Sequence, residues 1–413
     1  MIRAKLKEHP VFMFKNFKYV FIGRVISAVG DKFFSIAIAW WIVNSGAENS
    51  KMHLGLLMAV NFVPIVLFGP FMGTLVDRSD KRKMMLLADA FRMIFVFSLA
   101  IIMFTGNLNL FILYGLCFLI SMFGPLFESS VASSLLRLTS KEKLSSAAAL
   151  DSSVMQISNV FGSALGSIFI AFIGIAGAFF FDSITYLISF IFIYFVSANL
   201  KPTENSNSHY WEEFKEGINY ILKSKPLLSL MLTFAAFNFF VGPIFIIIPM
   251  IVKFTLNESV TWLAIFETFF AFGSCAVAIG MSFKKEYRNT YILFFFSVLL
   301  MGLSFLGLYF TGNKYLIVIL LLSAGCALGM GNALAITLFQ GAVREEMKGR
   351  FFSVLTTVAY AVLPLTFMLN GFLAQSISIK FSIMINSAAV IILSFIVLMI
   401  PRISEKQGRG NRV

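Results

Sequence analysis

Gly73-Thr74-Leu75-Val76-Asp77-Arg78-Ser79-Asp80-Lys81-Arg82-Lys83 stands between two long apolar runs. Six of its eleven residues are charged. A stretch this polar cannot lie in hydrocarbon, where charges and unpaired backbone groups are strongly penalised. Both flanking runs must therefore end at one membrane surface, joined by a short basic turn.

Working outward from that turn, segments of about 20 or more mostly apolar residues recur along the whole chain. Twelve are expected as membrane helices, near 17–43, 53–76, 84–104, 108–136, 147–173 and 176–198. The second six fall near 227–252, 260–283, 289–311, 315–342, 351–377 and 380–401. Hydrophobic residues make up 59% of the 413 and charged residues 13%, about half the ~25% of a soluble domain. There is too little charge to cover a water-facing surface.

The basic residues orient these spans. Of 33 Lys and Arg, 26 fall on the side of the Gly73–Lys83 turn and four on the other. Arg24, Lys32 and Arg92 lie within spans. The bias predicts a cytoplasmic location for both termini and for the Asp77 turn. It also accounts for the net charge of +13 as a topology signal, with no nucleic acid as partner. No cleavable leader is expected, because the first apolar stretch is too long and lacks a small-residue cleavage pattern. Trp40, Trp41 and Trp262 are expected in an aromatic belt at the outer surface. Tyr210 to Leu222 reads as an amphipathic helix in the cytoplasmic interface.

The polar stretch 201–208 divides the chain into expected domains: a six-helix bundle over 1–200, a linker over 201–225, and a second bundle with a short tail over 226–413. An internal repeat supports the division. Leu135-Leu136 followed by Lys141-Glu142-Lys143-Leu144 matches Leu338-Phe339 followed by Arg344-Glu345-Glu346-Met347, in an ungapped offset of 203. Paired six-helix halves imply a binding cavity near the bilayer midplane.

The quoted turn resembles the signature loop of the major facilitator superfamily: glycine, three residues, Asp-Arg, then basic residues. The resemblance implies an all-α membrane protein of twelve helices in two pseudo-symmetric six-helix bundles. It also implies secondary transport by alternating access and a cytoplasmic latch built from Gly73, Asp77, Arg78, Lys81 and Arg82. There Gly73 permits close helix packing, Asp77 caps a helix near Arg350–Ser353, and the basic residues pair with acids. Asp80 stands where the family usually has glycine. That change is common in the macrolide-efflux and siderophore-export branch, which Gly30-Asp31, Phe181-Asp182-Ser183 and Lys348-Gly349-Arg350-Phe351 also resemble. The 8–9 loop keeps only Lys284, Lys285 and Arg288, a degenerate second latch. Antiporters of this superfamily usually carry a Gly-Pro pair on the fifth helix. Here Ser163 follows Gly162, while Gly162 and Gly166 still offer a small-residue packing face.

Charges inside spans are expensive, so each needs a reason. Asp31 is read as a proton acceptor or an anchor for a cationic substrate, with Arg24, seven residues earlier, tuning it. A purely structural pair is the competing reading. Glu267 is a second candidate. Glu128 could carry protons, with pairing to Lys81 or Arg78 as the favoured alternative. Asp89 and Arg92 are expected to pair with each other, Lys32 to snorkel outward, and Asp182 to be a structural hydrogen-bond partner. Asp151 is expected only as a helix N-terminal acid.

Cys117, Cys275 and Cys326 lie in apolar stretches with no metal-ligand spacing. His9, His53 and His209 lie outside the apolar interior. No nucleotide-binding Gly-x-x-x-x-Gly-Lys motif occurs. An enzyme is not expected, nor a cofactor or metal. The expected function is proton-coupled efflux of hydrophobic or amphipathic small molecules, such as macrolide-like drugs, by a monomer in a bacterial plasma membrane. Export of an endogenous metabolite or siderophore is the alternative, and a non-transporting receptor on the same scaffold is a further one.

Overall fold

A computed structural model describes residues 9–202, 210–282 and 289–400. Lys284, Lys285 and Arg288, and both chain ends with their predicted orientation, lie outside the described residues. Among those described, all regular structure is helical: α1 (Lys15–Asn44), α2 (Ser50–Asp77), α3 (Lys81–Phe104), α4 (Leu110–Leu138), α5 (Leu144–Ile157) and α6 (Ser163–Tyr194), then α7 (Tyr210–Leu222), α8 (Lys225–Val241), α9 (Ile244–Met250), α10 (Val260–Ser282), α11 (Thr290–Phe310), α12 (Lys314–Ala342), α13 (Lys348–Ser376) and α14 (Ile379–Met399). Eleven helical segments among the described residues are long and apolar enough to cross a membrane.

The remaining expected span, 147–173, is present but irregular. It comprises α5, a π turn at Ser158–Gly162 and the first part of α6. Gly174 then breaks α6 with φ of 72°, a left-handed conformation that glycine adopts without steric penalty. The predicted fifth and sixth spans meet at that glycine.

The chain divides into two units, residues 1–41 with 60–208, and 42–59 with 209–413. In the first, α3 packs on α4 and α6; in the second, α11 packs on α12 and α14. These are equivalent pairings of a repeated unit. The repeat is also visible at the helix ends. Asn109 caps α4 through Ile112 N (2.9 Å) and Asn313 caps α12 through Tyr315 N (2.9 Å). One-turn 3₁₀ helices follow at Lys141–Lys143 and Glu345–Met347. The Gly174 break corresponds to Ser378, which caps α14 through Phe381 N (3.0 Å). All three matches share an offset of 204, one residue more than the sequence alignment suggests. Backbone caps and turns set this register, whereas the loop charges that suggested 203 are not structurally equivalent.

The amphipathic linker helix α7 packs on α13 rather than standing free at a lipid surface. Ile221 and Gly217 are buried. A Cβ at Gly217 would lie 2.9 Å from the Arg350 carbonyl. Glu216 pairs with Arg350 at 2.5 Å. On the apolar face of α7, Ile221 is thus covered by protein while Phe214 and Ile218 are half-buried. Trp40 lies near the end of α1 and is packed in protein at 9% exposure. Trp262 keeps company with Tyr315 (centroids 5.7 Å) and with Lys314, 4.5 Å from its ring centroid.

Candidate functional site

The first unit holds two groups of charged side chains inside its helices. Arg24 on α1 joins both Glu128 on α4 and Asp151 on α5 in ion pairs. Its side chain is 8% exposed, whereas that of Glu128 is 56% exposed. The guanidinium presents several donors in a planar fork, so one arginine can hold two carboxylates. The triad carries one negative charge in excess when all three groups are ionised.

This corrects three expectations. Arg24 is not the partner of Asp31: seven residues of helix separate them by ~10 Å along the axis, although they share a face. Glu128 pairs with Arg24 and not with Lys81 or Arg78. Asp151 proves to be more than a helix-end acid.

The second group lies at the packing of α1 with α3 and α6. Asp89 and Arg92 pair at 2.8 Å, one turn apart as expected, and the other Asp89 oxygen accepts from Ser189 Oγ at 2.6 Å. The Arg92 guanidinium lies over the rings of Phe127 (4.9 Å) and Tyr186 (4.5 Å). Tyr186 donates its hydroxyl to Asp31. Thr185 Oγ1 donates to Asp182 Oδ1 at 3.1 Å. Asp89 and Asp182 have no accessible surface, whereas Asp31 is half-buried. Close approach makes the arrangement possible, because a Cβ at Gly30 would overlap Thr185 Oγ1 and Asp182 Oδ1. The Gly30-Asp31 and Phe181-Asp182-Ser183 pairs in the sequence point to one meeting place. Their separation of about 150 residues hides this from any local pattern.

Gly162 and Gly166 face α1. A Cβ at Gly162 would lie 2.6 Å from Lys32 Cβ, and one at Gly166 3.0 Å from Phe33 Cδ1. The π turn ends at Gly162. It supplies at this point a helix irregularity that proline would otherwise bring. Glu267 stands half-buried on α10 in the second unit.

The Asp77 turn is held by main-chain contacts of its own unit. Asp80 caps α3, its carboxylate accepting from Arg82 N at 3.0 Å. That gives the acid at the family's glycine position a structural reason. Asp80→Ala is expected to lower stability by about 1 kcal/mol and Asp80→Gly by only a few tenths, measured as unfolding midpoints in detergent. Lys81 Nζ donates to the carbonyls of Asp77 (3.3 Å) and Ser79 (3.4 Å). Arg82 donates to the carbonyls of Ile193 and Tyr194 at the end of α6, where a helix favours a cation. Lys81 and Arg82 therefore bond to carbonyls rather than to the acids expected for them. Arg78 is exposed, and a Cβ at Gly73 would meet no described atom within 4 Å, so close packing at that glycine is absent here.

The family model described as "transmembrane secretion effector" matches residues 9–409. The chain belongs to the transmembrane secretion effector family of the major facilitator superfamily. This family member is similar to macrolide efflux protein A of Streptococcus pyogenes, with 22% identity over 395 residues, covering 94% of this chain and 97% of that one. It is 27% identical over 395 residues to a protein assigned as a candidate bacilysin exporter in Bacillus subtilis, covering 93% and 92%. In fold it is similar to a bacterial homologue of the human lysosomal transporter Spinster, with a TM-score of 0.76, 11% identity, and 96% and 98% of the two chains covered. A D-xylose–proton symporter gives a TM-score of 0.73 at 12% identity, covering 94% and 98%. The chain is thus a multi-pass membrane transporter.

Proposed function

We propose that the protein exports hydrophobic or amphipathic small molecules by alternating access, driven by protons. The observation that carries this reading is Glu128. A carboxylate more than half exposed on a membrane helix, tied to the buried Arg24, requires a water-filled surface beside it, since lipid would not tolerate it. With one surplus negative charge, the Arg24–Glu128–Asp151 triad favours a solute that is cationic as well as apolar. The efflux role named for the streptococcal relative supports that solute class. In this reading the turn at Asp77 and Arg78 forms the cytoplasmic latch, Asp31 and Glu267 are coupling candidates, both termini are cytoplasmic, and the monomer is the working unit.

Cells expressing the wild type are expected to accumulate less ethidium and erythromycin than cells expressing Glu128→Gln. A protonophore is expected to abolish the difference. Equal accumulation in both strains across a panel of unrelated apolar cations would remove the solute class. Efflux indifferent to the protonophore would remove the coupling. The bacilysin-exporter assignment of a second relative favours an endogenous metabolite as the other reading. Secretion profiles of a deletion strain separate the two.

A further inference from the structure

Four ionisable groups meet where α1, α3 and α6 pack, namely Asp31, Asp89, Asp182 and Arg92, with the Tyr186 hydroxyl beside them. Fully ionised, three carboxylates against one guanidinium would leave two unbalanced negative charges among packed apolar side chains. Burial penalises that state heavily. Asp89 is matched by its ion pair with Arg92 and by Ser189. Asp31 accepts the Tyr186 hydroxyl. Asp182 is the group left over: Oδ1 accepts from its own helix, through Thr185, and buried Oδ2 accepts no hydrogen bond among the described residues. Asp182 is turned toward α1, where its Oδ1 occupies the space a Cβ at Gly30 would need. An unsatisfied carboxylate with no accessible surface is far less costly as a neutral acid. Asp182 thus lies against the chain neighbour of Asp31, and adjacent carboxyl groups do not readily ionise together.

We propose that Asp31 and Asp182 form a proton-binding site of the first unit. The ionisable groups facing the pair are Asp89 and Arg92 from α3 and Tyr186 from α6. Asp31 keeps accessible surface and exchanges the proton with water, whereas sealed Asp182 stores it. The step is a bare proton transfer. Hydronium gives its proton to a carboxylate oxygen and leaves as water, and the Tyr186 proton stays on its oxygen. The proposal rests on the proton-driven reading above and gives that reading a site separate from the Arg24 triad. The two sites share α1, with Arg24 and Asp31 ~10 Å apart along it. A shift of this helix that changes the exposure of Asp31 therefore also moves Arg24 against Glu128.

The test is pH-difference infrared spectroscopy on the full-length protein in vesicles of phosphatidylethanolamine and phosphatidylglycerol. We expect the carbonyl band of a protonated, deuterium-sensitive carboxylic acid. It should be lost in Asp182→Asn, lost or shifted in Asp31→Asn, and kept in the exposed-loop variant Glu142→Gln. A band unchanged in both aspartate variants overturns the proposal. If Asp182→Asn is not monodisperse, Asp31→Asn decides alone. Ethidium efflux under an imposed pH gradient separates the two claims. A titrating band without gradient-driven efflux leaves the site standing and removes the proton-driven exporter. Gradient-driven efflux undiminished in Asp31→Asn overturns the site and leaves the exporter standing.

Discussion

Arg92→Leu is expected to destabilise the folded protein by about 3–5 kcal/mol, the usual consequence of removing one partner from a buried ion pair. The size follows from what remains. Asp89 has no accessible surface, and without the guanidinium its second oxygen keeps only the Ser189 hydroxyl. The rings of Phe127 and Tyr186 also lose the cation they flank. The measurement is the thermal unfolding midpoint in detergent. Neutralising both partners, as in Asp89→Asn with Arg92→Gln, should recover part of the loss, because contacting residues couple by 0.5–3 kcal/mol. A midpoint equal to wild type in Arg92→Leu would mean that the group is wet rather than sealed.

Arg24→Ala is expected to act differently. Glu128 is largely exposed but Asp151 only 20% exposed, so water and salt screen one pair more than the other and the stability loss should be about 1–3 kcal/mol, between an exposed and a buried pair. Transport should nevertheless fall on the order of tenfold or more, equivalent to at least ~1.4 kcal/mol. Without the guanidinium two carboxylates repel each other at the polar face of α4 and α5. Arg24→Lys should restore only part, since a point charge cannot bridge both acids as the planar fork does. Ethidium efflux from cells with matched expression reads the effect. Full activity in Arg24→Ala would take the triad out of the solute path.

The apolar lengths, the basic turns and the i, i+3 pair of Asp89 with Arg92 could all be read from sequence, because each is a local pattern. What could not be read depends on tertiary approach. Arg24 finds its acids 104 and 127 residues away, and Asp31 meets Tyr186 at a separation of 155. Shared face and spacing on α1 suggested the wrong partner, since periodicity reports direction and not reach. Asp80 looked like a departure from a loop motif, while its geometry is that of a helix cap. The irregular fifth span was hidden for a related reason: a π turn and one left-handed glycine leave no trace in hydropathy. Gly217 similarly lies unannounced in an amphipathic pattern that suits lipid and protein equally well.

The long separations around Arg24 bear on biogenesis. Helices enter lipid as they are made, and an arginine within a span opposes insertion, by up to ~2.5–3.5 kcal/mol at the centre and less toward an end, where Arg24 lies. When α1 leaves the ribosome, neither Glu128 nor Asp151 has been synthesised. Until α4 and α5 arrive, Arg24 is therefore expected to reach toward the near membrane surface, holding α1 shallow. Nascent chains stopped short of residue 128 would hold α1 only loosely in the bilayer, and integration would become secure once Glu128 and Asp151 had joined it.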